Sequence, residues 1–205
     1  SRLAALSGPN HAEEVILGTP SATVIASANE QTTQLFQELF ATFSFRTYAS
    51  TDVLGVELCA AFKNVIAIAT GCAYGLGYGD NTAAMLQTRG LAEMSRLVTA
   101  CGGQALTCMG LAGTGDMIVT CMSRHSRNRR LGEMIAQGKT LDDFTAETHM
   151  VAEGAVACKT LGELAAKVGV ELPITDIVRR VVWEDFDPRL VSDRLLDRPL
   201  KPEFY

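Results

Sequence analysis

The sequence predicts a mainly helical fold led by a short α/β segment. Three observations predict it. β-branched strand-like runs occur only before residue 50, helical apolar spacing fills the remainder, and Gly or Pro interrupts that remainder at helix-length intervals. The 205 residues are 47% hydrophobic and 20% charged, enough to bury a core without the signature of disorder. Aromatic residues are few, which favours helices that pack closely through small side chains.

Gly8-Pro9 breaks the chain ahead of a short helix at about 12–17. Residues 21–27, Ser-Ala-Thr-Val-Ile-Ala-Ser, read as a buried strand. A helix over 29–42 carries Leu35, Phe36, Leu39 and Phe40 at helical spacing, and 43–48 reads as a second strand. Residues 1–50 thus look like the end of an α/β domain. From 51 to 205 the pattern is that of an all-α domain. Asp52 caps a helix reaching about Thr70, and glycine-rich 72–79 forms a turn. A helix over 81–100 buries Leu86, Met94, Leu97 and Val98, and sets Arg89, Glu93 and Arg96 for pairing along another side. Gly102-Gly103 stops it. Further helices run at about 128–137 before Gly138, 153–168 before Gly169, and 175–185 after Pro173. Asp187-Pro188 caps a last one.

Composition excludes some functions. A net charge of −5 argues against a general nucleic-acid binder. Arg124, Arg127, Arg129 and Arg130 fall within one short segment, and a local basic cluster on an acidic chain suits a small anion. The six cysteines form no CxxC pair and none stands beside a histidine at metal-ligand spacing. They read as reduced core residues of an intracellular, cytoplasmic protein, with no metal site. The longest apolar stretch, 53–69, contains Glu57, Lys63 and Asn64 and fails as a membrane span. No signal peptide opens the chain, and the start at Ser1-Arg2-Leu3 suggests a piece of something longer.

Lys63 is the first candidate for chemistry. The helix around it is apolar on nearly every face and belongs inside a bundle. A lysine there must snorkel to water, pair with an acid, or lose its proton, and burial alone lowers a lysine pKa. A lysine near neutrality serves as a general acid or base. The second candidate is Asp116, which follows Gly110-Leu-Ala-Gly-Thr-Gly115. Three glycines make a tight backbone passage, and the carboxylate at its end either meets a substrate hydroxyl, holds a lysine, or is an ordinary turn residue. The third is Ser126-Arg127-Asn128 at a helix start, where free backbone N–H groups and hydroxyl, guanidinium and amide donors suit a phosphate. A solvated basic face is the alternative. Gly75-Leu-Gly-Tyr-Gly79 lacks a preceding strand and reads as a turn rather than a dinucleotide fingerprint. His11, His125 and His149 are too scattered for a metal site or triad.

Taken in order, Leu6-Ser-Gly-Pro9, Gly55-Val-Glu-Leu58, Lys63-Asn-Val-Ile-Ala-Ile68, Gly77-Tyr-Gly-Asp-Asn81, Thr88-Arg-Gly-Leu-Ala-Glu-Met94, Gly110–Asp116, Ser126-Arg-Asn-Arg-Arg130, Glu153-Gly154 and Leu172-Pro-Ile-Thr175 resemble the bacterial NAD(P)-dependent glycerol-3-phosphate dehydrogenases over nearly the whole chain. The resemblance implies a helical C-terminal dehydrogenase domain like that of 6-phosphogluconate dehydrogenase, with 1–50 as the tail of a Rossmann domain whose glycine-rich turn lies upstream. It implies interconversion of glycerol 3-phosphate and dihydroxyacetone phosphate with NAD or NADP, feeding glycerophospholipid synthesis. Lys63 would be the proton acceptor. Gly8, Asn10, Asp116, Ser126, Arg127 and Asn128 would bind the phosphorylated substrate, and Ala12, Arg127, Val151 and Glu153 would lie on the cofactor side. Asn10 and His11 depart from the family's usual Ser and Phe. The resemblance further implies a homodimer, and that this segment alone is inactive. The alternatives are a dehydrogenase for another phosphorylated sugar or hydroxy acid, and a non-catalytic helical dimerisation module.

Overall fold

The computed structural model describes residues 2–191 and 202–203. Three strands form one sheet: β1 (Ala5–Ser7), β2 (Ser21–Ala26) and β3 (Phe45–Ser50), in spatial order β1-β2-β3. β1 runs antiparallel to β2, with Ser7 opposite Val24. β2 and β3 are parallel, with Ser21 opposite Phe45 and Ala26 opposite Ser50. Between β1 and β2 lies the short α1 (Ala12–Val15), and the parallel pair is bridged by α2 (Glu30–Phe40). Asn29 starts α2 by accepting the Thr32 amide on its side chain at 3.0 Å. The apolar residues expected to seat α2 face outward instead. Leu35, Leu39 and Phe40 are exposed, and Thr32 and Thr33 are the buried positions.

The rest is helical. α3 (Val53–Gly75) is followed by α4 (Asp80–Ala100), α5 (Ala105–Met109), a π-helical segment (Leu111–Gly115), α6 (Asp116–Met122), α7 (Arg127–Ala136), α8 (Leu141–Thr148), α9 (Glu153–Val168) and α10 (Pro173–Trp183). Asp187 then caps a 3-10 turn at Pro188–Leu190. The last helix expected after it falls largely outside the described residues.

α3 is the axis of the fold. It is long and apolar enough by composition to cross a membrane, but α4, α6, α7 and α9 pack around it and half of its apolar window is buried inside the protein. Val56, Phe62, Val65, Ile66 and Ile68 have no exposure. Asp52 caps it, accepting the Gly55 amide on Oδ1 at 2.9 Å. Its Oδ2 accepts the Gln104 amide and the Thr107 hydroxyl, fastening α5 to the start of α3 and holding the Asp52 carboxyl below its usual pKa against the opposing cost of burial.

α3 runs past the expected end at Thr70 to Gly75, and its glycines explain why. A Cβ on Gly71 would stand 2.0 Å from the Arg129 carbonyl oxygen, and one on Gly132 would stand 2.1 Å from the Ile68 carbonyl oxygen. Gly71 and Gly75 face α7 and serve a close helix approach, while the expected turn is confined to residues 76–79, where Gly77 takes a φ of +83°. Glu93 also differs from expectation. It does not lie at the surface, although the charge of Arg96 still acts on it. It is buried, accepting the Ile174 amide at 2.7 Å and the Thr175 amide and hydroxyl at 3.3 and 3.2 Å, so that α4 caps the start of α10.

Candidate active site

Three structural pieces meet at Asp116. α3 brings Lys63, the end of β1 brings Ser7 and Gly8, and the π-helical segment delivers Asp116 as the first residue of α6. Lys63 Nζ donates to Asp116 Oδ2 at 2.6 Å. Ser7 Oγ donates to the same oxygen at 2.9 Å and the Gly8 amide at 3.0 Å. Thr120 Oγ1 donates to the Asp116 carbonyl at 2.6 Å and reaches Oδ1 at 3.3 Å. The Lys63 side chain is 20% exposed and that of Asp116 only 5%. Of the routes open to a lysine in an apolar helix, Lys63 takes the pairing with an acid, and keeps its ammonium end at the edge of solvent. Three donors on one carboxylate oxygen offset the cost of burying the charge.

Gly8 is placed by packing. A Cβ there would stand 2.8 Å from the Ala22 carbonyl oxygen and 2.9 Å from the Thr23 Cα. Asn10, on the same loop, donates its amide to Thr23 Oγ1 at 3.0 Å, and Thr23 Oγ1 in turn donates to the Ser7 carbonyl. The buried Thr23 thus steadies the loop that supplies Gly8 to Asp116.

The second half of the site is the start of α7. Ser126 is its N-cap and accepts the Arg129 amide on its hydroxyl oxygen at 3.2 Å, leaving the hydroxyl proton to donate. Asn128 Nδ2 donates to Asn64 Oδ1 at 3.0 Å and lies 3.4 Å from Glu153 Oε2, while its Oδ1 accepts the Gly154 amide at 2.8 Å. Consecutive residues of α3 therefore reach the two halves of the site, Lys63 to Asp116 and Asn64 to Asn128. Arg127 pairs with Glu153, and both side chains are about half exposed. Val151 and Ala12 are exposed.

Seven of the residues named from sequence fall into two linked clusters, Gly8, Lys63 and Asp116 in one and Ser126, Arg127, Asn128 and Glu153 in the other, whereas Asn10 reaches the first only through Thr23, and Ala12 and Val151 are exposed outside both. Ser7, Thr120 and Thr23 were not singled out from sequence. Short polar residues in a strand and a helix carry no signal of their own, and only Ser7, within Ser-Gly-Pro, lay inside a motif. His11 and His125 prove to be near neighbours, with ring centroids 6.4 Å apart, and His149 ends α8 in a left-handed conformation. No group of three metal-ligating side chains occurs among the described residues.

Residues 52–193 match the family model described as NAD-dependent glycerol-3-phosphate dehydrogenase C-terminus, and residues 1–33 match the corresponding N-terminus model. This chain belongs to the NAD-dependent glycerol-3-phosphate dehydrogenase family. A glycerol-3-phosphate dehydrogenase [NAD(P)+] of Chlorobium phaeobacteroides is 48% identical over 205 residues, covering 100% of this chain and 62% of that protein. One from Clostridium botulinum is 49% identical over 200 residues, covering 98% and 61%. The crystal structure of the glycerol-3-phosphate dehydrogenase of Coxiella burnetii superposes with a TM-score of 0.92 at 41% identity, over 95% of this chain and 60% of that one. The chain therefore spans about three-fifths of the length of these family members, and the helical architecture is that of the dehydrogenase family's C-terminal part.

Proposed function

We propose that the whole protein interconverts sn-glycerol 3-phosphate and dihydroxyacetone phosphate with NAD or NADP, and that this chain carries the substrate half of the site. One observation carries the reading: the Lys63–Asp116 ion pair stands at the solvent edge of a buried core, linked through Asn64 and Asn128 to the anion-suited start of α7. Residues 1–50 are then the end of a dinucleotide-binding domain and 51–205 the substrate domain. The chain without the upstream part does not turn over. Six free thiols fit a reducing, cytoplasmic setting, and the assembly is a homodimer.

When bound, a nicotinamide exchanges hydride with C2 of the substrate. Arg127, Val151, Glu153 and Ala12 would lie on that side. Lys63 Nζ handles the proton. As the neutral amine it takes the proton of the C2 hydroxyl in the oxidative direction and, as ammonium, gives one to the ketone oxygen in the reductive direction. Asp116 holds Lys63 in place through Oδ2, and Oδ1 is the oxygen left to orient a substrate hydroxyl. The Ser126 hydroxyl, the first amides of α7 and Arg127 bind the phosphate and thereby set the position of C2. Gly8 and Asn10 shape the adjoining wall. The amide of Asn128, engaged with Asn64 and Glu153, must exchange one of those partners to touch substrate directly.

The test is steady-state kinetics of the intact protein with dihydroxyacetone phosphate, unphosphorylated dihydroxyacetone, and other phosphorylated ketones, using each cofactor in turn. The expected result is turnover of dihydroxyacetone phosphate, with Arg127→Ala raising its KM by about tenfold or more, the loss of one charge-assisted contact. A preference for another phosphorylated substrate, or an unchanged KM in the variant, contradicts the assignment.

A further inference from the structure

Cys59 and Cys108 meet in the core with their sulfurs 3.7 Å apart, and neither has any solvent exposure. They come from different helices and take no part in the chemistry above. Their positions nevertheless tie them to it. Cys59 lies one helical turn before Lys63 on α3, so the two side chains leave the same face of that helix. Cys108 lies on α5, and the π-helical segment rests directly on its backbone. A Cβ on Gly113 would be 2.1 Å from the Cys108 carbonyl oxygen, and Thr114 Oγ1 donates to that same oxygen at 2.9 Å. Gly113 through Gly115 then lead straight into Asp116. This backbone contact therefore joins Cys108 to the segment that ends at the carboxylate holding Lys63.

We propose that Cys59 and Cys108 form a redox modification site which a peroxide closes to a disulfide, and that closure pulls Asp116 out of register with Lys63. The thiol chemistry stands on the geometry alone, whereas its effect on turnover rests on the function proposed above. In the first step the Cys108 thiolate attacks one peroxide oxygen. The O–O bond breaks, Cys108 becomes a sulfenic acid, and hydroxide leaves and takes up a proton as water. In the second step the Cys59 sulfur attacks the Cys108 sulfur, the S–O bond breaks, and a second water departs with the Cys59 proton. Two thiols lose two electrons in all, and hydrogen peroxide is reduced to two waters.

The contact favours this order. The hydrogen that Cys59 shares with Cys108 pushes the Cys59 thiol up and holds the Cys108 thiol below its ordinary range, making Cys108 the first to react. A disulfide needs sulfurs about 2.05 Å apart, so they must approach by more than about 1.5 Å. α5 is the element that yields. It has five residues against 23 in α3, with Leu106 and Met109 exposed, and the approach and the entry of peroxide both require a local opening that breaks the ties of Gln104 and Thr107 to Asp52. A displacement of about 1 Å at a catalytic contact lowers turnover by one to two orders of magnitude.

The test treats the intact protein with hydrogen peroxide. A non-reducing digest is then read by mass spectrometry, and turnover is measured before treatment, after it, and after dithiothreitol. The expected result is a peptide joining Cys59 to Cys108, two hydrogens lighter than its parts, with turnover lowered at least about tenfold and restored by reduction. Cys108→Ser and Cys59→Ala should each abolish the linked peptide and keep most of their turnover through the same treatment. Absence of the linked peptide, or sulfinic acid at Cys108 in its place, overturns the site. A linked peptide with unchanged turnover, or equal inactivation of both variants, overturns its connection to Asp116. A protein inactive before oxidation speaks against the proposed function, and the linked peptide still decides the thiol pair.

Discussion

Lys63 Nζ stands 2.6 Å from Asp116 Oδ2, joining the core helix to a carboxylate 53 residues further along the chain. Ser7 and Gly8 donate to that same oxygen from the end of β1. The contact thus does two jobs: it fixes the direction of the lysine, and it fastens the three-stranded sheet to the helices beside it.

Asp116→Asn tests both. The amide keeps the shape but removes the charge and can present N–H hydrogens to the donors of Ser7 and Gly8. A charge-assisted network of this kind is worth about 2 kcal/mol per bond lost. Urea unfolding of the variant is expected to show a loss of about that size, with a fall in kcat larger than the rise in KM. A variant with unchanged stability and kcat would remove Asp116 from the account.

Glu93 gives a pH signature. Burial drives its carboxyl up to about 7 from a usual value near 4.5, outweighing the amides of Ile174 and Thr175 and the charge of Arg96, all of which favour the charged form. Because the folded-state value lies above the unfolded one, the stability this group adds is complete below about pH 4.5 and is lost as pH rises through about 7. The full swing is on the order of 3 kcal/mol. Denaturation midpoints measured from pH 4.5 to 7.5 should show this decline, and Glu93→Gln should flatten it. An unchanged slope in Glu93→Gln would assign the titration to another group.

The crossing of α3 and α7 allows no side chain at Gly132, where a Cβ would lie 2.1 Å from the Ile68 carbonyl oxygen. Gly132→Ala should cost about 1–3 kcal/mol through forced separation of the helices. Since α7 begins with Arg127 and Asn128, the same change should raise KM for the phosphorylated substrate. Thermal unfolding and KM together check this, and a variant as stable as the parent would contradict the close crossing.

Much of this was legible in the sequence, and the exceptions have physical causes. α9 runs from Glu153 to Val168 as expected, because an apolar helical period ends at Gly169 in a left-handed conformation. Lys63 was visible as a charge in an otherwise apolar helix. α8 went unread, although Thr140 and Asp143 form a full capping box, because only Phe144 in that helix is buried and so no apolar stripe marks it. β1 has three residues and exists only through its pairing with β2. Glu93 looked like a surface residue because its hydrogen-bond partners, Ile174 and Thr175, lie some eighty residues away. The turn expected at 75–79 is there from residue 76 onward, but Gly75 belongs to α3, because sequence shows where a side chain is missing, not which backbone comes close.

The central claim is that Lys63 moves the proton, and its most direct measurement is the kcat of Lys63→Ala in the intact protein, with and without added methylamine. The account predicts a fall in kcat of about 10²–10⁴, the usual worth of a general acid–base group, with near-parental folding by circular dichroism and partial recovery as methylamine supplies the missing amine. A Lys63→Ala protein that folds and keeps a near-parental kcat, unaffected by the amine, would contradict it.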